Sequence, residues 1–150
     1  LITLFSFLLS DEVVVDEALK KPAVDGTSLI YSYSKTNYPK SIILIIADGT
    51  GIGQYTLGYY TNETFAPAQF QHIGLVATHP DDGFKKVTDS ASSGTAMATG
   101  EKTYNGAISV DHDGQPIETI IEIADKLGMS TGVVATSTVT HATPASFVAP

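Results

Sequence analysis

The residues best equipped for chemistry are Ser90 and its neighbour Asp89, which head the run DSASSGTAMATG at 89–100. The run is composed of small residues and ends at Gly100, so it reads as a short helix with a glycine stop. A hydroxyl at a helix N-terminus faces unpaired backbone N–H groups and the positive end of the helix dipole. Negative charge on that oxygen, or on a phosphate bonded to it, is favoured there, which suits a nucleophile. Asp and Ser are also the preferred N-cap residues, and on these two residues alone capping is the better reading. The rest of the run adds weight to the chemical reading. It carries almost no bulk on any face, so the helix can approach neighbouring backbone closely all round, which ordinary packing does not require.

Two further segments offer polar groups at the ends of apolar runs. Asp48 follows the run IILIIA at 42–47 and precedes Gly-Thr-Gly-Ile-Gly. Its carboxylate suits a hard, doubly charged ion, since Asp oxygens bind both zinc and magnesium. An Asp-Gly turn, or a cap for a helix starting near Gly51, explains the same residues without chemistry. A glycine-rich nucleotide loop fits poorly, because no Lys follows the glycines and their spacing is not the dinucleotide one. His141 and Thr143 follow the apolar run TGVVATS at 131–137. His72, His79 and His112 are not spaced to share a metal and read as surface or loop residues; Tyr55, Tyr59 and Tyr60 read as packing.

The elements that must position these groups follow from periodicity. Residues 42–47 are a continuous β-branched and aliphatic run of the kind buried on both faces of a parallel sheet. Residues 73–78, 107–110 and 131–137 read as further strands, with Asn105-Gly106 and Asp113-Gly114 as turns around the third. A polar helix or loop spans 54–60. Residues 116–127 (PIETIIEIADKL) read as a helix, with Pro and Glu118 in the first turn, Lys126 in the last and Gly128 just after. Alternating strands and helices imply an α/β fold, a three-layer sandwich with a mostly parallel central sheet, incomplete in this chain. Ligands bind beyond the carboxyl ends of strands in such folds. That rim is where Asp48 and the pair His141 and Thr143 fall.

Composition narrows the function. The chain has 150 residues, 43% of them hydrophobic and 16% charged, which is globular rather than disordered. Its net charge is -8, all eight basic residues are Lys, and Arg is absent. Such a chain is a poor nucleic-acid binder, because affinity for the phosphate backbone comes from Lys and Arg clusters. It is also ill-equipped to clamp an anionic phosphate alone. With no Cys, disulfides, thiol nucleophiles and Cys-based zinc sites are excluded. Residues 1–10 (LITLFSFLLS) are too short to span a bilayer but match the apolar core of a secretory signal, here without a basic leader or cleavage site. A buried N-terminal element is the competing reading. Residues 11–40, acidic and then Gly, Ser, Tyr and Lys-rich with Pro22 and Pro39, read as a linker or surface-wrapping segment.

The segments VTDSASSGTAMATG and KTYNGAISVD, with VTHATPASF at 139–147, resemble the alkaline phosphatase family. The resemblance covers 41–149 and implies the N-terminal part of that domain. It implies metal-dependent hydrolysis of small phosphate monoesters through a phosphoserine intermediate, with Ser90 as nucleophile and zinc ligand. It further implies that Asp48 bridges that zinc and a magnesium site, that Thr143 binds the magnesium, and that Asp89 orients a phosphate-clamping Arg. His141 stands where members carry Asp or His, which implies a role beside the site and a magnesium site that is weaker or differently tuned. Two zinc ions and one magnesium, a homodimer of the full-length protein and export to the periplasm or extracellular space belong to the same implication. The clamping Arg and most remaining ligands lie further along in family members, so the 150 residues alone are expected to be inactive. A non-catalytic binding or structural module of the same fold explains their absence equally. A serine esterase using Ser90 and His141 ranks below both, because no G-x-S-x-G elbow is present.

Overall fold

The computed structural model describes residues 41–70 and 74–150. The expectations for 1–10 and 11–40, and those for His72 and Ile73, lie outside the described residues. Among the described residues four α-helices follow in order: α1 (Ile52–Thr61), α2 (Ser90–Thr99), α3 (Ile120–Lys126) and α4 (Ala142–Ala145), with a 3-10 helix at Ala66–Gln69.

Each helix end has a local cause. In α2 the Asp89 carboxylate accepts the Ser92 N–H at 2.8 Å, and Gly100, at φ 81°, closes the last turn with its N–H on the Ala96 carbonyl. The third helix begins at Ile120, four residues later than its sequence pattern implies. Thr119 caps it in a box with Glu122: the Glu122 carboxylate accepts the Thr119 N–H at 2.8 Å, while the Thr119 hydroxyl accepts the Glu122 N–H at 3.2 Å. Pro116 is held instead in a single antiparallel bridge with Val110. Glu118 therefore precedes the helix and pairs with Lys126 from outside it. Beyond α3, Gly128 (φ 75°) and Met129 return their N–H groups to Asp125 and Ala124, a Schellman stop.

The core is built around α2. Its buried face, Ala91, Ser92, Gly94, Thr95 and Ala98, packs on α4 and on the segment 103–109. A Cβ at Gly94 would stand 2.9 Å from Ser146 Oγ and 3.5 Å from Thr143 Cα, so the helices meet at this glycine. Hydroxyls replace much of the usual aliphatic filling. Thr95 Oγ1 donates to the Ala107 carbonyl at 3.0 Å and accepts the Ser109 N–H at 2.9 Å. Ser109 Oγ donates to the Ser146 carbonyl at 2.7 Å. Burial without exposed partners is affordable for these groups because each is bonded. Ser109 holds a φ of 51°, uncommon for a non-glycine residue, where the chain threads between α2 and α4.

The expected strands do not pair among the described residues, where the bridge Val110 to Pro116 is the only β pairing. Ile43 and Ile45 are 69% and 67% exposed, and Val134 is fully exposed. A parallel strand gains its stability from partners on both edges and cover on both faces, and among the described residues runs 42–47 and 131–137 find no strand neighbour. At 107–110, the buried Ala107 carbonyl and Ser109 side chain bond to α2 and to the end of α4, while the Ser109 carbonyl accepts the Ile117 N–H at 2.9 Å beside the single bridge, and no longer strand forms. The Asn105-Gly106 turn forms, with Gly106 at φ 93° and the Ala107 N–H on the Tyr104 carbonyl. Only its third residue is left-handed, so it is a type II turn and not the hairpin type that Asn-Gly favours.

Candidate active site

Asp48 occupies the tip of a turn between run 42–47 and α1. The Thr50 N–H bonds to the Ala47 carbonyl at 3.1 Å, and Gly49 takes the left-handed position at φ 71°. The turn is thus real, but Asp48 does not cap α1. Gly51 takes that place, its N–H bonded to the Gln54 side chain at 3.0 Å. The Asp48 side chain is left to point elsewhere.

It points at Ser90 and Thr143. The Ser90 hydroxyl donates to Asp48 Oδ2 at 3.1 Å and lies 3.3 Å from Oδ1. The Thr143 hydroxyl donates to Oδ2 at 2.8 Å. Partners 42 and 95 residues away in sequence therefore share one carboxylate. Helix α2 presents Ser90 as its first residue, directly after the cap, and α4 presents Thr143 in its only turn. The close approach at Gly94 sets the distance between these two helices.

Asp89 and His141 flank this contact as N-cap residues of α2 and α4. Asp89 Oδ1 accepts the N–H of Ser92 at 2.8 Å and lies 2.9 Å from its hydroxyl oxygen. The exposed imidazole of His141 does not cap its helix. His79 lies against Lys102, whose ammonium bonds the His79 carbonyl at 2.8 Å, and His112 packs edge-on to Tyr104, so neither joins the site. Tyr55 and Tyr59 pack edge-to-face on Phe65, but Tyr59 is 57% and Tyr60 80% exposed, so the packing expectation fits Tyr55 and not Tyr60.

The sequence pattern missed Asn105. Its side-chain oxygen accepts the Asp89 N–H at 3.1 Å and the Ser92 hydroxyl at 2.8 Å, and its nitrogen donates to the Val87 carbonyl at 2.9 Å. The Asn-Gly signal identifies the turn, but no spacing rule brings residue 105 beside residue 89.

One carboxylate and two hydroxyls converging from three segments form an all-oxygen donor set, which fits a hard cation such as magnesium. Zinc prefers about four ligands, commonly including nitrogen or sulfur. Among the described residues no group of three or more His, Cys, Asp or Glu supplies them. The residues present thus fit the oxygen-rich side of a metal centre. No described helix is long and apolar enough to cross a membrane.

Residues 39–150 match the sequence profile of the alkaline phosphatase family. Alkaline phosphatase 3 of Bacillus subtilis is 46% identical over 116 residues, covering 72% of this chain and 25% of that protein. The alkaline phosphatase of Escherichia coli is 38% identical over 134 residues, covering 83% of this chain and 28% of its own length. The structure of alkaline phosphatase from the Antarctic bacterium TAB5 superposes with a TM-score of 0.64 at 48% identity, over 68% of this chain and 30% of that one. A mutant of that enzyme, with the same TM-score, was solved with Mg bound in its M3 site. These neighbours have an α/β fold, which the chain shares at the level of class. The chain spans about a quarter of the length of the curated relatives it matches.

Proposed function

Because this chain belongs to the alkaline phosphatase family, we propose that it carries the nucleophile segment of a metal-dependent phosphomonoesterase acting through a phosphoserine intermediate. The observation that carries the reading is the meeting of the Ser90 and Thr143 hydroxyls on the Asp48 carboxylate. In this reading Ser90 Oγ bonds to phosphorus as the bond from phosphorus to the alcohol oxygen breaks, releasing the alcohol. Water then cleaves the Ser90 Oγ to phosphorus bond, restoring the hydroxyl and releasing inorganic phosphate.

Asp48 orients the nucleophile by holding the Ser90 hydrogen toward Oδ2. The start of α2 favours negative charge on Ser90 Oγ and on the phosphate it acquires. Asp48, Ser90 and Thr143 are the residues that would hold metal, from a complement of two zinc ions and one magnesium. When bound, the metals lower the pKa of the Ser90 hydroxyl and offset phosphoryl charge. Asp89 serves to orient an Arg that this chain does not contain, and His141 tunes the magnesium side without ligating it.

The finer organisation belongs to the same proposal. Residues 41–150 form the N-terminal part of a three-layer domain with a mostly parallel sheet, in which runs 42–47 and 131–137 find strand partners. Residues 11–40 connect or wrap, and the apolar run 1–10 supports export to the periplasm or beyond. Small phosphate monoesters are the substrates, and the active protein is a homodimer.

Turnover of p-nitrophenyl phosphate with added zinc and magnesium tests the reading. A polypeptide of the relatives' length that carries these residues should be active, and Ser90→Ala should lower its kcat by several orders of magnitude. The 150 residues alone should show little or none. An active Ser90→Ala variant overturns the assignment.

A further inference from the structure

We infer that Asn105 is a positioning residue for Ser90, locking the segment on both sides of the nucleophile into one geometry; this rests on the reading of Ser90 as nucleophile. The carboxamide of Asn105 reaches three points around Ser90. It bonds the Val87 carbonyl three residues before it, the Asp89 N–H immediately before it, and the Ser92 hydroxyl two residues after it. Ser92 Oγ also contacts Asp89 Oδ1 at 2.9 Å and Thr88 Oγ1 at 2.9 Å, so the strand of chain 87–92 is tied to itself as well as to residue 105. Ser90 is thereby flanked by bonded residues while its own hydroxyl stays directed at Asp48.

The chemistry requires an amide. The orientation of the Asn105 side chain is fixed by two backbone groups of opposite character: a donor, the Asp89 N–H, and an acceptor, the Val87 carbonyl. A rotated amide would set NH₂ against N–H and oxygen against oxygen. Aspartate would offer only acceptors when ionised, facing the Val87 carbonyl without a hydrogen. It would also place a second carboxylate across the Ser92 hydroxyl from Asp89. Leucine would match the size and make none of the bonds. The neighbouring Gly106, at φ 93°, allows the turn that carries Asn105 up to the loop.

A nucleophile displaced by about 1 Å loses on the order of a hundredfold in rate, because attack needs a narrow range of distance and direction. Asn105 touches no candidate ligand, so its removal should act on kcat far more than on KM. The experiment uses a metal-loaded polypeptide of the relatives' length, with Asn105→Ala, Asn105→Asp, Ser92→Ala and the double variant N105A/S92A. Folding is followed by circular dichroism, and kcat and KM by p-nitrophenyl phosphate turnover. We expect kcat to fall ten- to a hundredfold in N105A and N105D with KM changed less than threefold, and the double variant to be no slower than the slower single one.

If N105A fails to fold, N105D, equal in volume, carries the same kinetic test. Lowered thermal stability with unchanged kcat in the folded variants overturns the inference and leaves the assignment of Ser90 intact, as does full additivity with Ser92→Ala. Activity surviving Ser90→Ala overturns both.

Discussion

Gly94→Ala places a methyl group where α2 packs tightly on the end of α4. In a helix with room to spare this substitution is stabilising, by up to about 1 kcal/mol, because glycine loses the most backbone entropy on folding. Here the new Cβ would stand 2.9 Å from Ser146 Oγ and 3.1 Å from Ser146 Cβ. Ser146 is fully buried, and its hydroxyl donates to the Ala142 carbonyl at 2.8 Å, so rotating it away sacrifices a buried hydrogen bond. That loss is about 1 kcal/mol, and overpacking adds about 1–3 kcal/mol. Set against the helical gain, the net is a destabilisation of about 1–3 kcal/mol. Gly53, in the first turn of α1 with nothing within 4 Å of its Cβ position, is the internal control. Urea unfolding should move the midpoint down for Gly94→Ala and leave it level or raise it for Gly53→Ala, with equal slopes. Ser146→Ala removes the 2.9 Å contact, so the double variant should be less destabilised than the sum of the singles. A midpoint raised by Gly94→Ala as much as by Gly53→Ala would refute the close-packing argument.

Other outcomes follow from single residues. Gly106→Ala puts a side chain at φ 93° and should cost about 1–2 kcal/mol, read as a lower melting temperature. Thr119→Ala removes a fully buried capping hydroxyl and should cost about 1–2 kcal/mol, with faster amide exchange confined to the start of α3. Glu122 is held below the ordinary carboxylate range by the Thr119 N–H and then by its hydroxyl. A lowered folded value means that its stabilisation is complete above the unfolded pKa and disappears as pH falls through the folded one. Amide protection at 120–123, measured against the intrinsic exchange rate at each pH, should therefore fall in acid below the usual carboxylate range, and Glu122→Gln should flatten that dependence. Thr143→Val, which keeps shape and removes the donor to Asp48, should weaken magnesium activation of turnover more than it changes the melting temperature.

How legible the molecule was depends on the range of the forces involved. The ends of α2 could be read directly, because Asp89 and Gly100 act on backbone groups within one turn of themselves. The start of α3 was equally local in principle, since Thr119 and Glu122 spell a capping box, but Pro116 mimics a first-turn residue and only its pairing with Val110 excludes it. Apolar runs name candidate strands but not their neighbours, and among the described residues 42–47 and 131–137 find none.

The sequence by itself determined that a serine would open a helix of small residues behind an Asp cap, and that Asp48 would stand at a turn. It also determined the lack of any Arg or Cys, and with it the chemistry the chain cannot perform alone. Only the tertiary structure decided that Asp48, Ser90 and Thr143 share one carboxylate, and that Asn105 closes over the nucleophile segment. Helix caps and turns are set by bonds across three or four residues, which a linear pattern contains. Contacts across 42 and 95 residues depend on how closely two helices can approach, and that distance is fixed by Gly94, Ser146 and a threaded Ser109 together.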